Sequence, residues 1–323
     1  MALVHAEDTT RAQDPGFLDQ RKQFLDATAR HILSLRGDDA TLNAQYVTNV
    51  SWAYASLRHR HDALFGTMAR YVGKKLADFP NQALSSWLWA CAVLNHRPAH
   101  DVMQRAMKQY LDRLMQDIEP PTVSSICNFV WAVATLGAIR PSYLAAVAHQ
   151  LAAQPDMVAK LRHQDLSSLH QALRICQLVY AGEDCSDVLP TGIQARIGHW
   201  LAVHADKVAK PSKFQMQVAR AVKNMGIMNA NVEFKTQDGG FSIDIAVTTD
   251  GAKLAIEADG PTHFTSNAPH EPLGHTITRN ALLSAQGWQV VSIPFFEWDH
   301  KVGVELDVYL RDKIRSVLLA PGL

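Results

Sequence analysis

Apolar positions in the first two thirds of the chain recur at helical spacing, and the whole pattern then recurs along the chain. Aligned on Trp52, the segments YVTNVSWAYASL, ALSSWLWACAVL around Trp89 and SICNFVWAVATL around Trp131 agree in character position by position. DLSSLHQALRIC is a degenerate fourth copy with Gln171 at the Trp position. The offsets are 37, 42 and 40 residues, a period typical of paired-helix repeats. Five positions before the Trp stand Val47, Leu84, Ile126 and Leu166; two before it are Val50, Trp87, Phe129 and Leu169. One position after it, Ala53, Ala90, Ala132 and Ala172 leave room for a neighbouring helix, and Leu57, Leu94, Leu136 and Cys176 follow four further on. These offsets trace one helical face. A second amphipathic helix separates the copies, at 64–79, 102–118, 143–151 and 193–203, and another at 17–35 precedes the Gly37-Asp38-Asp39 break. Such pairs predict an α-solenoid.

The period changes after a linker at 204–212 that ends in Lys210-Pro211-Ser212. Ser212 is placed to cap a helix over 213–225 that Gly226 ends. Residues 241–247 alternate and are rich in β-branched side chains, so they predict a strand. Thr249-Asp250-Gly251 turns the chain into a second strand over 254–259. A helix over 277–286, a third strand over 288–293 buried on both faces, and a closing helix over 304–319 complete the pattern. The expected fold is an α-solenoid of paired helices followed by a small α/β domain with a mixed three- to four-stranded sheet. The expected domains are a polar, disordered 1–15, a helical 16–205, and an α/β 206–323 led by a basic helix.

Chemistry concentrates at the strand ends. Period-two alternation puts Glu257 and Asp259 on one face of the second strand, with Asp244 on the neighbouring one and His263 just beyond Gly260-Pro261. Hard oxygen ligands in that arrangement suit a divalent cation. The other reading is that these acids are solvated or cap the loop.

Many residues here occur in the order of a known module. Asp244-Ile245-Ala246, Ile256 through Phe264, Leu273-Gly274-His275-Thr276, Gly287-Trp288, Val290-Val291, Pro294 and Phe296-Glu297-Trp298 together resemble the RAP domain, a module named for RNA binding and frequent in organellar proteins. The resemblance covers roughly 233–312. RAP domains are similar to the PD-(D/E)xK nuclease fold, nearest to very-short-patch-repair endonucleases. That resemblance implies Asp244 and Glu257 as ligands of Mg²⁺ or Mn²⁺ for phosphodiester hydrolysis, with Asp259 or His263 orienting water or a proton. Asp259 stands where that family has a lysine, which favours a binding role over cleavage. The helical repeats resemble octotricopeptide repeats, in which Trp-Ala-x-Ala-x-Leu follows a Pro-initiated turn, here Pro80 and Pro120-Pro121. Arrays of that kind bind organellar RNA, whereas HEAT-like arrays of the same period also bind proteins.

Four and three positions before each Trp stand Thr48-Asn49, Ser85-Ser86, Cys127-Asn128 and Ser167-Ser168. Small polar side chains in matching register suit base edges of single-stranded RNA, one nucleotide per repeat, with Asn49, Ser86, Asn128 and Ser168 as the readers. Capping preference in the first helical turn is the plainer reading of them, although Thr122 and Asp165 are the expected caps. The Trp series reads as repeat core. Arg58-His59-Arg60-His61 reads as a solvated helix end, with phosphate contact as the alternative. His263, His270 and His275 match no zinc spacing.

Charge refines the partner. The chain is neutral overall, with 47% hydrophobic and 19% charged residues. From Glu233 onward it carries 7 basic and 12 acidic residues, against 24 and 19 before that point. The positive field that would hold phosphates therefore lies in the helical part and in the helix at 213–225. On that helix Lys213, Arg220 and Lys223, with Lys207 and Lys210 before them, form the expected phosphate surface. Cys91, Cys127, Cys176 and Cys185 form no CxxC pair and read as free thiols, the first three inside helices. They imply a cytoplasmic-type reducing compartment, with organellar or host-delivered settings open. No apolar run reaches membrane-spanning length, and the N-terminal stretch has neither a secretory nor a transit-peptide pattern. The partner expected is single-stranded RNA, with protein partners on the solenoid as the rival.

Overall fold

A computed structural model describes residues 15–35, 42–116, 118, 121–180, 188–205, 210–249, 251–299, 301 and 303–319. The expected disorder at 1–15 (but for Pro15), the Gly37 break, Cys185 and most of the linker lie outside them. The chain divides into two compact units, residues 1–193 with Thr265–Gly274, and residues 194–264 with His275–Leu323.

The first unit is helical. It runs through α1 (Pro15–Ser34), α2 (Ala44–Ser56), α3 (Asp62–Lys74), α4 (Asn81–Val93), α5 (His100–Met115), α6 (Val123–Thr135), α7 (Pro141–Ala152), a short α8 (Pro155–Ala159), α9 (His163–Val179) and the start of α10 (Thr191–Ala205). Helices α2, α4, α6 and α9 carry the four repeat copies and pack in that order, while α3, α5 and α7 form a second row joined by α1. Val47, Leu84 and Ile126 are fully buried, and so are Ala90, Ala132 and Ala172. Each of the first three repeat helices closes with one left-handed residue, Arg58 (φ 55), Asn95 (φ 49) and Gly137 (φ 72). The amide after it reaches back to Tyr54, Cys91 or Val133 in a repeated Schellman closure.

Three expectations change. Trp52 and Trp89 are only half-buried, and the fully buried tryptophan is Trp87, two positions earlier. Trp131 is inside, its Nε1 donating to Gln171 Oε1 at 3.0 Å in the equivalent position of the next repeat. Thr122 caps α6 as expected, but Asp165 lies within the first turn of α9 and takes the Arg162 amide at 2.9 Å. The turn after α2 is not a solvated end. His59 is 4% exposed, edge-on to the Tyr54 ring and near Asp26 of α1, and the segment Thr265–Gly274 hydrogen-bonds to Arg58 and Arg60 on either side of it.

In the second unit, Ser212 and Gln215 form a capping box that starts α11 (Lys213–Asn224), and Gly226 (φ 89) follows its end. Four strands follow, β1 (Ala230–Lys235), β2 (Ser242–Thr249), β3 (Ala252–Asp259) and β4 (Trp288–Pro294), with α12 (Gly274–Ala285) between the last two. α13 (Phe295–Trp298) and α14 (Val304–Leu318) end the fold. The sheet order is β1-β2-β3-β4, antiparallel except for the parallel β3–β4 pair. A crossover helix is what a parallel neighbour requires. Val218 and Val222 of α11 and Leu310 and Ile314 of α14 pack with Ile245, Ile256 and Val291 on one face of the sheet. Leu283 of α12 packs with Ala246, Ala255 and Trp288 in a smaller cluster. Val290 and Ser292 of β4 remain half-buried, so that strand is less enclosed than its Val-Val-x-Ile pattern suggested.

Candidate functional site

Asp244 lies where β2 parts from β3. Their ladder stops at Ile245↔Ile256, and the Asp244 carboxylate takes the next free amide, with Ala258 N–H donating to Oδ2 at 2.8 Å. Gln215 Nε2 on α11 donates to the other oxygen and also to Glu233 Oε1 at 3.1 Å. Glu233 has a positive φ of 54°, and the β1–β2 register skips the Glu233–Asp244 pair. A local break in both ladders thus frees Asp244 to face α11.

Glu257 and Asp259 share a face of β3, as alternation requires, and are 1% and 0% exposed. Their common partner is Arg279 on α12, with Nη1 3.2 Å from Glu257 Oε2 and Nη2 2.8 Å from Asp259 Oδ1. Asp259 also accepts from Ser292 Oγ of β4 and lies 3.4 Å from His263 Nδ1. His263 is held by Thr276, whose Oγ1 donates to the His263 carbonyl at 3.0 Å. The structure thus brings Asp244, Glu257, Asp259 and His263 into one neighbourhood, with Arg279 as the centre the sequence reading did not include.

The electrostatics follow from burial. Loss of water pushes the Glu257 carboxyl up to about 8 against the pull of Arg279, and Asp244 and Asp259 push the same way. Burial lifts Asp244 to about 6, against the hydrogen bonds from Gln215 and Ala258. Burial also opposes the Arg279 charge, but Glu257 and Asp259 outweigh it and hold the guanidinium above its ordinary value. Neither oxygen of Glu257 accepts a hydrogen bond, so its carboxylate suits a cation. Arg279 already brings one to that spot. Among the described residues, no group of three or more His, Cys, Asp and Glu side chains is disposed to hold a metal ion.

Bordering this cluster, a cleft of about 490 Å³ is lined by Ser212, by Gln215 and Gln217 of α11, and by Asp244, Gly260 and His263 among others. Two further hollows, of about 320 and 420 Å³, continue along α11, and Gln217 borders all three. Lys213, Arg220 and Lys223 stand exposed on this helix. In the helical unit, Asn49 is exposed and Ser86, Asn128 and Ser168 are partly so, while Ser85 and Cys127 beside them are buried. Gln45 Nε2 donates to Asn49 Oδ1 at 2.8 Å, and Gln82 Nε2 reaches Ser86 Oγ at 3.4 Å.

The sequence did carry one signal for Arg279. It falls between Thr276 and Leu283, three and four positions away on the face of α12 that turns inward, and a charge on such a stripe calls for a buried partner.

Comparison with known proteins finds a family match over part of this region. The RAP domain family model matches residues 256–312. The match begins within β3, so Asp244 and α11 lie upstream of it. A chloroplastic RAP domain-containing protein of rice, Oryza sativa subsp. japonica, is 26% identical over 302 residues, covering 81% of this chain and 45% of its own length. The mitochondrial FAST kinase domain-containing protein 3 of Bos taurus is 36% identical over 88 residues, 27% of this chain and 13% of the bovine protein. The chain thus spans less than half the length of either relative. No described helix is long and apolar enough to cross a membrane.

Proposed function

We propose that this chain is an RNA-binding protein whose stacked helical pairs form a short solenoid of octotricopeptide type that grips single-stranded RNA. Asn49, Ser86, Asn128 and Ser168 read base edges, and the α11 surface with its cleft holds the sugar–phosphate backbone. One observation carries this reading: in all four repeat copies the position three before the Trp keeps an accessible hydrogen-bonding side chain, while its neighbour is buried in the middle copies. In α2 and α6 capping does not account for that, because Asn43 and Thr122 cap those helices with their own side chains. Chloroplastic and mitochondrial relatives support an organellar location, where buried thiols such as Cys91 and Cys127 stay reduced equally well. The test is crosslinking to a random single-stranded RNA pool across a salt series, with single-stranded DNA as competitor. Absence of salt-sensitive binding would leave the helical rows as a protein-interaction scaffold.

A second reading is favoured by the Glu257 oxygens, which accept no hydrogen bond. Asp244 and Glu257 would hold Mg²⁺ or Mn²⁺, which supplies Lewis-acid activation of a phosphodiester. Arg279 would first have to give up Glu257. Incubating bound RNA with manganese decides between the readings: cleavage that Asp244→Ala abolishes makes the cleft an active site, and intact RNA makes it a clamp.

A further inference from the structure

Each helix of the repeat row shows solvent a common line of positions: seven and three before the Trp, the Trp position itself and four after it. In α4 that line is Gln82, Ser86, Trp89 and Val93, and every other residue of the helix is buried. In α6 it is Ser124, Asn128 and Thr135, with Trp131 drawn inside to Gln171. That bond joins the same position in neighbouring helices, so their lines lie side by side. No Asp, Glu, Lys or Arg stands at these positions in any of the four helices. Arg162 donates to Ser124 Oγ at 2.8 Å, but its charge is paired with Asp165.

We propose that Trp52 and Trp89 are stacking platforms for nucleobases, with the side-chain amides of Gln45 and Gln82 joining Asn49 and Ser86 at the base edges. The proposal deepens the RNA-binding reading and rests on it. It divides the row in two. The first two repeats hold a base by its face and its edge, whereas the last two hold only the edge, because Trp131 is inside and Gln171 replaces the fourth Trp.

Packing does not call for these two rings. In α4 the fully buried Trp87 already fills the core, and Trp89 stands on the open line two positions later. Among the described residues, neither Trp52 nor Trp89 makes a hydrogen bond or a ring contact, so each leaves an indole N–H and part of an apolar ring to solvent. Asn49 and Ser86 lie one helical turn before the rings, and Gln45 and Gln82 about one turn earlier, on the same face. Gln45 Nε2 donates to Asn49 Oδ1 at 2.8 Å and Gln82 Nε2 to Ser86 Oγ at 3.4 Å, which holds the polar pairs together and leaves further donors and acceptors to meet a base edge. A face of amides, hydroxyls and rings without charge matches a neutral base, which stacks and hydrogen-bonds, rather than a phosphate.

The test measures binding of the full chain to short single strands of adenylate, of uridylate and of abasic ribose with the same phosphates, at several salt concentrations. Wild type should prefer them in that order, since purines stack most strongly and the abasic strand offers only its backbone. Trp52→Leu and Trp89→Leu should each weaken the adenylate strand roughly tenfold without changing the salt dependence. Trp52→Phe and Trp89→Phe keep a ring and should lose only about threefold. Lys213→Gln/Arg220→Gln/Lys223→Gln should do the reverse, keeping the preference for adenylate over the abasic strand while lowering the salt dependence. If RNA binds but the abasic strand binds equally well, or both leucine variants keep wild-type affinity, the platforms are refuted and the RNA-binding reading stands. If no strand binds wild type, that reading falls and the platforms fall with it. Where a melting curve shows that a leucine variant fails to fold, the phenylalanine variant decides: an unchanged preference for adenylate over uridylate and abasic strands refutes its platform.

Discussion

Arg279 Nη2 stands 2.8 Å from Asp259 Oδ1, with the carboxylate wholly out of water and the Arg279 side chain nearly so. The same guanidinium faces Glu257, so one cation from α12 balances two acids of β3. Removing it strips two buried carboxyl groups of the cation that faces both. Arg279→Met should therefore destabilise the second unit by on the order of 3–5 kcal/mol, read from urea denaturation. Adding Glu257→Gln should recover part of the loss, and Arg279→Lys should cost less than Arg279→Met. A loss below about 1 kcal/mol for Arg279→Met, the range of an exposed pair, would show the cluster open to solvent.

Proton linkage gives a second expectation. Asp244 and Glu257 both titrate higher in the fold, near 6 and 8, than carboxyls ordinarily do. The folded state therefore binds more protons than the unfolded chain above roughly pH 4. The contribution of these two groups to stability is fullest below that pH and falls as pH rises through about 6 and then about 8. Each unit of separation is worth about 1.4 kcal/mol. Melting curves between pH 5 and 8.5 should show the decline, and Glu257→Gln should flatten its upper part.

Local chemistry explains what is legible in the sequence. The repeat offsets marked α2, α4, α6 and α9 because every copy buries the same face, and Ser212 and Gly226 bounded α11 because capping is a local property. β1 was harder to see, since Asn231, Glu233 and Lys235 dilute its pattern at one edge of the sheet. Arg279 could not be paired from spacing, because its partners are 20 and 22 residues away and meet it only through the β3–α12 crossover. The segment 265–274 reads as an ordinary polar loop, yet its Asn267 and Glu271 bind Arg60, 207 and 211 positions distant.

The repeat row makes a graded prediction. Asn49→Ala, Ser86→Ala, Asn128→Ala and Ser168→Ala alter accessible side chains and should leave thermal stability within about 0.5 kcal/mol. Each should weaken binding to a preferred RNA by about 1 kcal/mol, the worth of one hydrogen bond, and relax selectivity at one base. Binding selections on each variant test this; unchanged base preference in all four would remove the row from recognition.

The α11 cations should behave differently. Neutralising Lys213, Arg220 and Lys223 should weaken all RNA sequences alike. It should also lower the salt dependence by about 0.7 for each phosphate that the variant no longer neutralises. Fluorescence anisotropy at several salt concentrations separates this from base reading, since the row variants should keep the wild-type slope.

Gly274 tests why the segment 265–274 belongs with the helical unit. A Cβ there would overlap the carbonyl oxygen of Ala92 and press on Thr135 Cγ2. The nearest obstacle is the backbone of α4, which cannot rotate away as a side chain can, so even Gly274→Ala must push the segment off. The expected loss is on the order of 1–3 kcal/mol, as for overpacking elsewhere. Hydrogen exchange should locate the damage, with faster exchange at Ser266 and Arg60, whose amides are held at the Arg58 carbonyl and the Asn267 side chain. Asn267→Ala should speed the Arg60 amide without touching Gly274. If Gly274→Ala left those amides protected, the segment would be held by Asn267 and Glu271 alone and the glycine would be dispensable.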